Sequence, residues 1–235
     1  MVSLDKAVIA RYTSHGEKFE ILVDPYLAAK LKEGQNIDLS EILASEHVYK
    51  DSGKGEKAPE DLLEKVFGTT DINTIAKKII LKGNVQLTAQ QRKEMRENKK
   101  KQIVSIIARN TINPQTNTPH PPNRIEKVLD EIRANIDIYK SAEEQIPNLI
   151  KEIKKVIPIK FERREVAIKI PGEYAGNIYH TLHEYGTVKQ EEWLSDGSLV
   201  VVIEIPSGIE SEFYGHLNKL SKGTVQTKLL KKIDV

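Results

Sequence analysis

The chain reads as an α+β protein of three domains: an N-terminal mixed α/β domain, a central three-helix bundle and a C-terminal ferredoxin-like β-α-β-β-α-β domain. Three observations predict this. Apolar runs of period two alternate with amphipathic helical runs in that order from residue 161 to the end. Thr88-Ala89-Gln90-Gln91 has capping-box form and opens a stretch with no Pro or Gly as far as Arg109. Pro114, Pro119, Pro121 and Pro122, with fixed φ and no N–H, bar helix between 111 and 123. The expected domains are 1–87, 88–160 and 161–235.

In the first domain, Ala7–Tyr12 and Phe19–Val23 are β-rich runs around Gly16, which supplies the positive φ of a hairpin loop. Pro25 suits a first helical turn, and the helix from Tyr26 to Glu33 ends at Gly34. A short helical turn over 38–44, a strand over His47–Lys50 and a flexible polar loop over 51–57 follow. Helices are expected over 59–67, stopped by Gly68, and from Ile72 with Ile75, Ile79 and Ile80 on one face, before a turn at Gly83-Asn84 into Val85–Leu87.

The central domain should hold a helix from Thr88 to Arg109, a stiff proline-rich connection, a helix over 124–138 through Ile125, Val128, Leu129, Ile132 and Ile136, and a helix after the Ser141/Glu144 capping box, bent or delayed by Pro147. In the last domain the strands are 166–170, 188–194, 199–205 and 225–230. The helices are 173–185 and 209–220, with a primed hairpin turn at Asp196-Gly197.

With 39% hydrophobic and 30% charged residues the chain can bury a core, and no apolar run approaches the roughly 18 to 20 residues of a membrane span. Met1–Lys6 lacks a signal-peptide pattern, so a cytoplasmic location is expected, with no membrane association. The absence of cysteine removes disulfides, thiolate nucleophiles and cysteine-ligated zinc. A net charge of +2 conceals an uneven distribution: −2 over 1–87, +6 over 88–160 and −2 over 161–235. Much of the central excess lies in Arg92, Lys93, Arg96, Lys99, Lys100 and Lys101, read as a basic stripe along one side of a helix, beside Lys77, Lys78 and Lys82. Such a stripe neutralises phosphates and releases counterions, but it reads no sequence; a solvated helix face carries the same pattern.

No chemistry-bearing motif competes with that reading. Gly53-Lys54-Gly55 lacks the leading Gly and the Ser/Thr of a phosphate-binding loop. His180 and His183, three apart on a helix, could face one metal only with a third ligand from elsewhere, for example Glu184, and surface histidines are commoner than zinc sites. No nucleophile elbow or catalytic triad is evident, and neither catalysis nor a cofactor is expected. The last domain lacks the aromatic signature of RNA-binding ferredoxin-like sheets, so Trp193, Tyr174, Tyr179 and Tyr185 are expected to pack.

Lys18-Phe19-Glu20-Ile21, Phe67-Gly68-Thr69-Thr70-Asp71, Ile79-Ile80-Leu81-Lys82-Gly83-Asn84-Val85-Gln86 and Ile112-Asn113-Pro114-Gln115-Thr116 together resemble the Shwachman-Bodian-Diamond syndrome protein family of ribosome maturation factors, in an archaeal form. The resemblance spans essentially the whole chain. It implies a non-enzymatic, monomeric factor that binds the large ribosomal subunit and its RNA. The last domain is similar to the last domain of elongation factor G, and an elongation-factor-like GTPase would assist in evicting initiation factor six. Carried over, Arg11, Lys18, Lys54 and Lys57 become the N-terminal phosphate contacts and the stripe from Arg92 to Lys101 the central ones. Two other readings stay open from the residues alone: a DNA-binding regulator using the three-helix domain, and an accessory subunit of an RNA-processing complex.

Overall fold

The computed structural model describes residues 3–234. It divides into two compact units: one runs to Lys99 and takes in Ile136–Glu144, and the other holds Lys100–Asn135 and the chain from Gln145 onward.

In the first unit, β1 (Val8–Ser14) and β2 (Glu17–Val23) pair antiparallel from Val8↔Val23 to Ser14↔Glu17. His15 shares the positive φ with Gly16, 53° and 79°, which makes the two-residue turn a primed one whose twist matches the strands. The carboxylate of Asp24 accepts from the N–H groups of Tyr26 and Leu27 and so starts α1 (Pro25–Lys32). After α2 (Leu39–Ile42) the polar stretch expected to be a flexible loop is instead a hairpin of β3 (Tyr49–Asp51) and β4 (Glu56–Lys57). The Asp51 carboxylate accepts from the Lys54 N–H at 3.1 Å, and Gly55 turns the chain at positive φ, so local bonds order a sequence that has no apolar pattern. Then come α3 (Glu60–Phe67), ended by left-handed Gly68, α4 (Ile72–Lys82), capped by Asp71, and β5 (Asn84–Val85). The sheet order is β4-β3-β2-β1-β5, and Phe19 and Ile21 bury against Ile75, Ile79 and Ile80. A Cβ on Gly83 would lie 2.4 Å from the Arg11 and Ile79 carbonyl oxygens, so only glycine lets the chain leave α4 this close to β1.

α5 (Ala89–Asn110) begins in the first unit and ends in the second. The proline-rich connection is a second correction, for it forms a hairpin of β6 (Thr111–Asn113) and β7 (Thr118–Pro119). Proline excludes helix, but at the edge of a sheet its missing N–H costs no ladder bond, so Pro119 fits β7. α6 (Pro122–Glu131) starts on Pro122 and stops seven residues short of the expected Ile138. Arg133 turns left-handed there, and the Ala134 N–H closes back on the Leu129 carbonyl. α7 (Ala142–Ile153) starts where Ser141 accepts from the Glu144 N–H at 3.2 Å, and Pro147 lies inside it without delaying its start.

The rest of the second unit is β8 (Lys160–Ile170), α8 (Gly172–Tyr185), β9 (Thr187–Trp193), β10 (Leu199–Pro206), α9 (Glu210–Leu220) and β11 (Gln226–Asp234). The strands lie antiparallel in the order β9-β10-β8-β11, the ferredoxin-like arrangement. β8 starts six residues before the expected Val166 and reaches β6 through Thr111↔Phe161 and Ile112↔Lys160, so the hairpin of the central segment joins this sheet. Val166, Ile168, Ile170, Val201, Ile203 and Ile205 face Ile178, Leu182, Phe213 and Leu217. The turn before β10 is not the primed one expected. Only Gly197 has positive φ, its N–H donates to the Leu194 carbonyl, and the three-residue loop is a type I turn closed by a glycine bulge.

Candidate nucleic-acid interface

The basic helix is built as its start predicts. The Thr88 hydroxyl accepts from the Gln91 N–H at 3.1 Å while the Gln91 side chain accepts from the Thr88 N–H at 3.0 Å. Met95, Lys99, Ile103 and Ile107, spaced by four, then form the buried row of α5. That row decides which cations face solvent. Arg92, Lys93 and Arg96 are exposed and line a recess of ≈ 470 Å³ with Leu87, Ala89 and Glu97. Glu94 does not neutralise them freely. Its carboxylate accepts from the Gln90 amide at 2.7 Å and the Tyr26 hydroxyl at 2.9 Å, bonds that hold it below the ordinary carboxylate range.

Lys99 and Lys100 are placed differently from the expected stripe. Lys99 falls on the row of Met95 and Ile103 and is 6% exposed. Its ammonium lies 2.8 Å from the Glu33 carboxylate, just past the end of α1. The Lys100 ammonium is 2.7 Å from Asp130 and 3.5 Å from Glu126, both on α6. Burial alone would lower the Lys100 pKa, but the two carboxylates outweigh it and raise it. Lys101 is exposed and borders a separate cleft of ≈ 670 Å³ in the second unit, with Arg109, His120 and Glu212.

Arg11 and Lys18 meet on one carboxylate. Glu20, only 2% exposed, accepts from the Arg11 guanidinium at 2.9 Å, the Lys18 ammonium at 3.3 Å, and the Ser52 N–H and hydroxyl at 2.9 and 2.8 Å. Burial pushes this carboxyl up, but the bonds from Ser52, then Arg11 and Lys18, outweigh it and hold its pKa down at about 2. The knot ties β1 and β2 to the β3–β4 hairpin. Lys54 and Lys57 are exposed on that hairpin, and Lys82 is exposed on the last turn of α4. The structure thus gathers Arg92, Lys93 and Arg96 about one recess and Arg11 with Lys18 on one anion.

Other candidates separate. His180 sits 3.4 Å from Glu184 while the His183 ring meets that of Tyr179 at 5.1 Å, and among the described residues no group of three or more His, Asp or Glu is arranged to hold a metal ion. Among the described residues no helix is long and apolar enough to cross a membrane. Of the aromatics expected to pack, Tyr174 and Tyr185 do, against the core of the last domain. Trp193 and Tyr179 do not: they are 62% and 41% exposed. The signal was present in Lys189-Gln190-Glu191-Glu192, a polar run without alternation that marks an edge strand and leaves the Trp after it uncovered.

Relatives match this chain from end to end. A Methanothermobacter thermautotrophicus protein named ribosome maturation protein SDO1 homolog is 47% identical over 232 residues, covering 98% of this chain and 100% of the relative. One of the same name from Aeropyrum pernix is 39% identical, covering 95% and 96%. The Xenopus laevis ribosome maturation protein SBDS is 25% identical, covering 99% and 94%. Residues 6–93 match the Shwachman-Bodian-Diamond syndrome (SBDS) N-terminal domain, 101–162 the SBDS protein domain II, and 164–232 the SBDS protein C-terminal domain. With three consecutive domains matched in order on an α+β fold, the chain belongs to the Shwachman-Bodian-Diamond syndrome protein family.

Proposed function

We propose that this protein is a ribosome maturation factor that acts by binding, without chemistry of its own, to the large ribosomal subunit and its RNA. The observation that carries the reading is the cluster of exposed Arg92, Lys93 and Arg96 about one recess, on a chain whose relatives are named ribosome maturation proteins over nearly their full length. Guanidinium groups take phosphate oxygens through paired N–H bonds, and the lysine adds a point charge. Lys101, Lys54, Lys57 and Lys82 extend the cationic surface. Arg11 and Lys18, each with 41% of its side chain open to solvent although bonded to Glu20, retain donors for a phosphate. Once bound, the factor assists release of initiation factor six in concert with an elongation-factor-like GTPase, in the cytoplasm and as a monomer.

The test is sedimentation of the protein with purified large subunits across a salt series. Affinity should fall linearly in log–log form by about 0.7 to 0.9 per phosphate contacted. The Arg92→Ala/Lys93→Ala/Arg96→Ala variant should bind more weakly and with a shallower slope. Binding by that variant at wild-type affinity and slope would remove the recess as the contact. Subunits loaded with initiation factor six, incubated with the protein, a GTPase fraction and GTP, test the release step separately.

A further inference from the structure

The sheet of the last domain ends in two strands of opposite charge. Among the described residues β11 pairs only with β8 and carries Lys228, Lys231 and Lys232, and β9 pairs only with β10 and carries Glu191 and Glu192. We propose that the β9 edge and the adjoining side of α8 dock an extended protein segment rich in lysine and arginine, which adds to β9 as a strand and lays its cations on Trp193 and the two glutamates.

Three features support this occupant. The first is the edge itself. Trp193 to Gln190 pair with Leu199 to Val202 in unbroken register, and the irregularity of the ladder falls beyond them, between Val202 and Ile203. Four residues therefore offer a regular outer row of backbone donors and acceptors, the template for strand addition.

The second feature is the ring at the end of that row. A Cβ on Gly172, at the start of α8, would meet the Gly197 carbonyl oxygen, and the Glu191 carboxylate is close enough to the Tyr179 hydroxyl to raise its pKa. α8 and β9 thus run side by side in opposite directions. Trp193, at the end of β9, is 62% exposed, and on α8 Tyr179 is 41% exposed with its ring 5.1 Å from that of His183. Charge alone suffices to protect an edge strand from stray pairing; a Trp works against that protection, and its place here is accounted for by a ligand.

The third feature is charge. Glu191, opposite Val201, lies with Trp193 on the face of β9 that α8 covers, Glu192, opposite Val200, borders the same edge from the other face, and the Glu191 carboxylate pushes Tyr179 above its ordinary pKa. Lys189, the basic residue of the strand, is drawn 3.0 Å from Glu204 of β10. Phosphates are repelled from such a surface. Lysine and arginine are drawn to it, and Trp is the strongest of the side-chain rings for a cation above its face. The site is independent of the RNA-binding recess, which lies in the other unit and has the opposite charge.

Trp193 is the sole tryptophan of the chain, so its fluorescence reports on this site directly. The probes are a twelve-residue peptide alternating lysine and valine, and a twelve-nucleotide oligouridylate. The peptide should shift the Trp193 emission saturably, with affinity falling as salt rises. Glu191→Lys/Glu192→Lys should weaken it about tenfold or more without changing the thermal unfolding of the protein. N-methylation of the peptide on the side facing β9 should weaken it by a similar factor, since strand addition rests on main-chain bonds. No saturable shift up to about 1 mM peptide overturns the proposal. So does a saturable shift with oligouridylate in place of the peptide, or a charge-reversed variant that binds the peptide unchanged. Equal affinity for the N-methylated peptide overturns the strand addition.

Discussion

Two neighbouring stretches of α5 carry the same kinds of side chain and do different work. Arg92, Lys93 and Arg96 point to solvent about a recess, whereas three residues later Lys99 is buried on Glu33 and Lys100 is held by Asp130 and Glu126. The difference is one of phase. A helix turns by 3.6 residues, so a row spaced by four that begins at Met95 takes in Lys99 before it reaches Ile103. A cluster of cations in sequence is therefore a count of charges, and only the buried row separates those that can meet an external anion from those that join elements of the fold.

The strongest way to break this comparison is to cut the pair on Lys99. Lys99→Met leaves Glu33 with its charge largely out of water, since the two side chains are 7% and 12% exposed. Such a cut costs about 3–5 kcal/mol, while Lys99→Met with Glu33→Leu should recover most of the loss, because a buried pair exchanged for apolar groups is often near neutral. Urea unfolding of the two variants measures both numbers. If Lys99→Met is as stable as the wild type, Lys99 belongs with the exposed cations after all.

A second test uses the other internal anion. The Glu20 pKa is lowered in the fold to about 2 from an ordinary 4.5, so between these values the unfolded chain binds the extra proton. Stability from this group is complete above about pH 4.5 and is lost as pH falls towards 2. The half-open side chains of Arg11 and Lys18 let solvent screen the pair, which reduces the loss to about 2 kcal/mol. Glu20→Gln should remove that acid-dependent part of the unfolding curve. An unchanged pH profile between 2 and 4.5 would show that the Ser52, Arg11 and Lys18 bonds do not hold the carboxylate.

How much of this was legible in the sequence depended on whether the signal was local. The capping box at Thr88, the Ser141 hydroxyl cap, the stop at Gly68 and the β-α-β-β-α-β order rest on neighbouring residues, and each appears in the structure. The hairpin of β6 and β7 did not show, because the prolines that exclude helix there are silent about a partner strand some fifty residues away at Lys160 and Phe161. Arg133 ends α6 in a left-handed turn although Ile136 continues the apolar period. In the candidate interface the charges were visible, but their partners were not: Glu33, Asp130 and Glu126 lie 66, 30 and 26 residues from the lysines they hold.

Lys100 sharpens the comparison from the middle. Its carboxylate partners are 43% and 66% exposed, so Lys100→Ala should cost no more than about 1 kcal/mol, well below Lys99→Met, and it should leave large-subunit affinity within about twofold. Calorimetric unfolding and the sedimentation assay check the two halves.

The smallest change in stability, and the most telling, belongs to Arg92, Lys93 and Arg96. They are exposed, so replacing all three by alanine should leave the unfolding free energy within about 0.5 kcal/mol; alanine also favours helix. If they contact phosphates, the slope of log affinity against log salt should become shallower by about 2, three contacts at roughly 0.7 each. The two halves of the helix would then be separated in opposite senses: one set of substitutions lowers stability and leaves binding in place, and the other alters binding on an intact fold. A triple variant that loses stability but keeps its slope would reverse that assignment, making the exposed cations structural and leaving the phosphate contacts to Lys54, Lys57, Lys82 and Lys101.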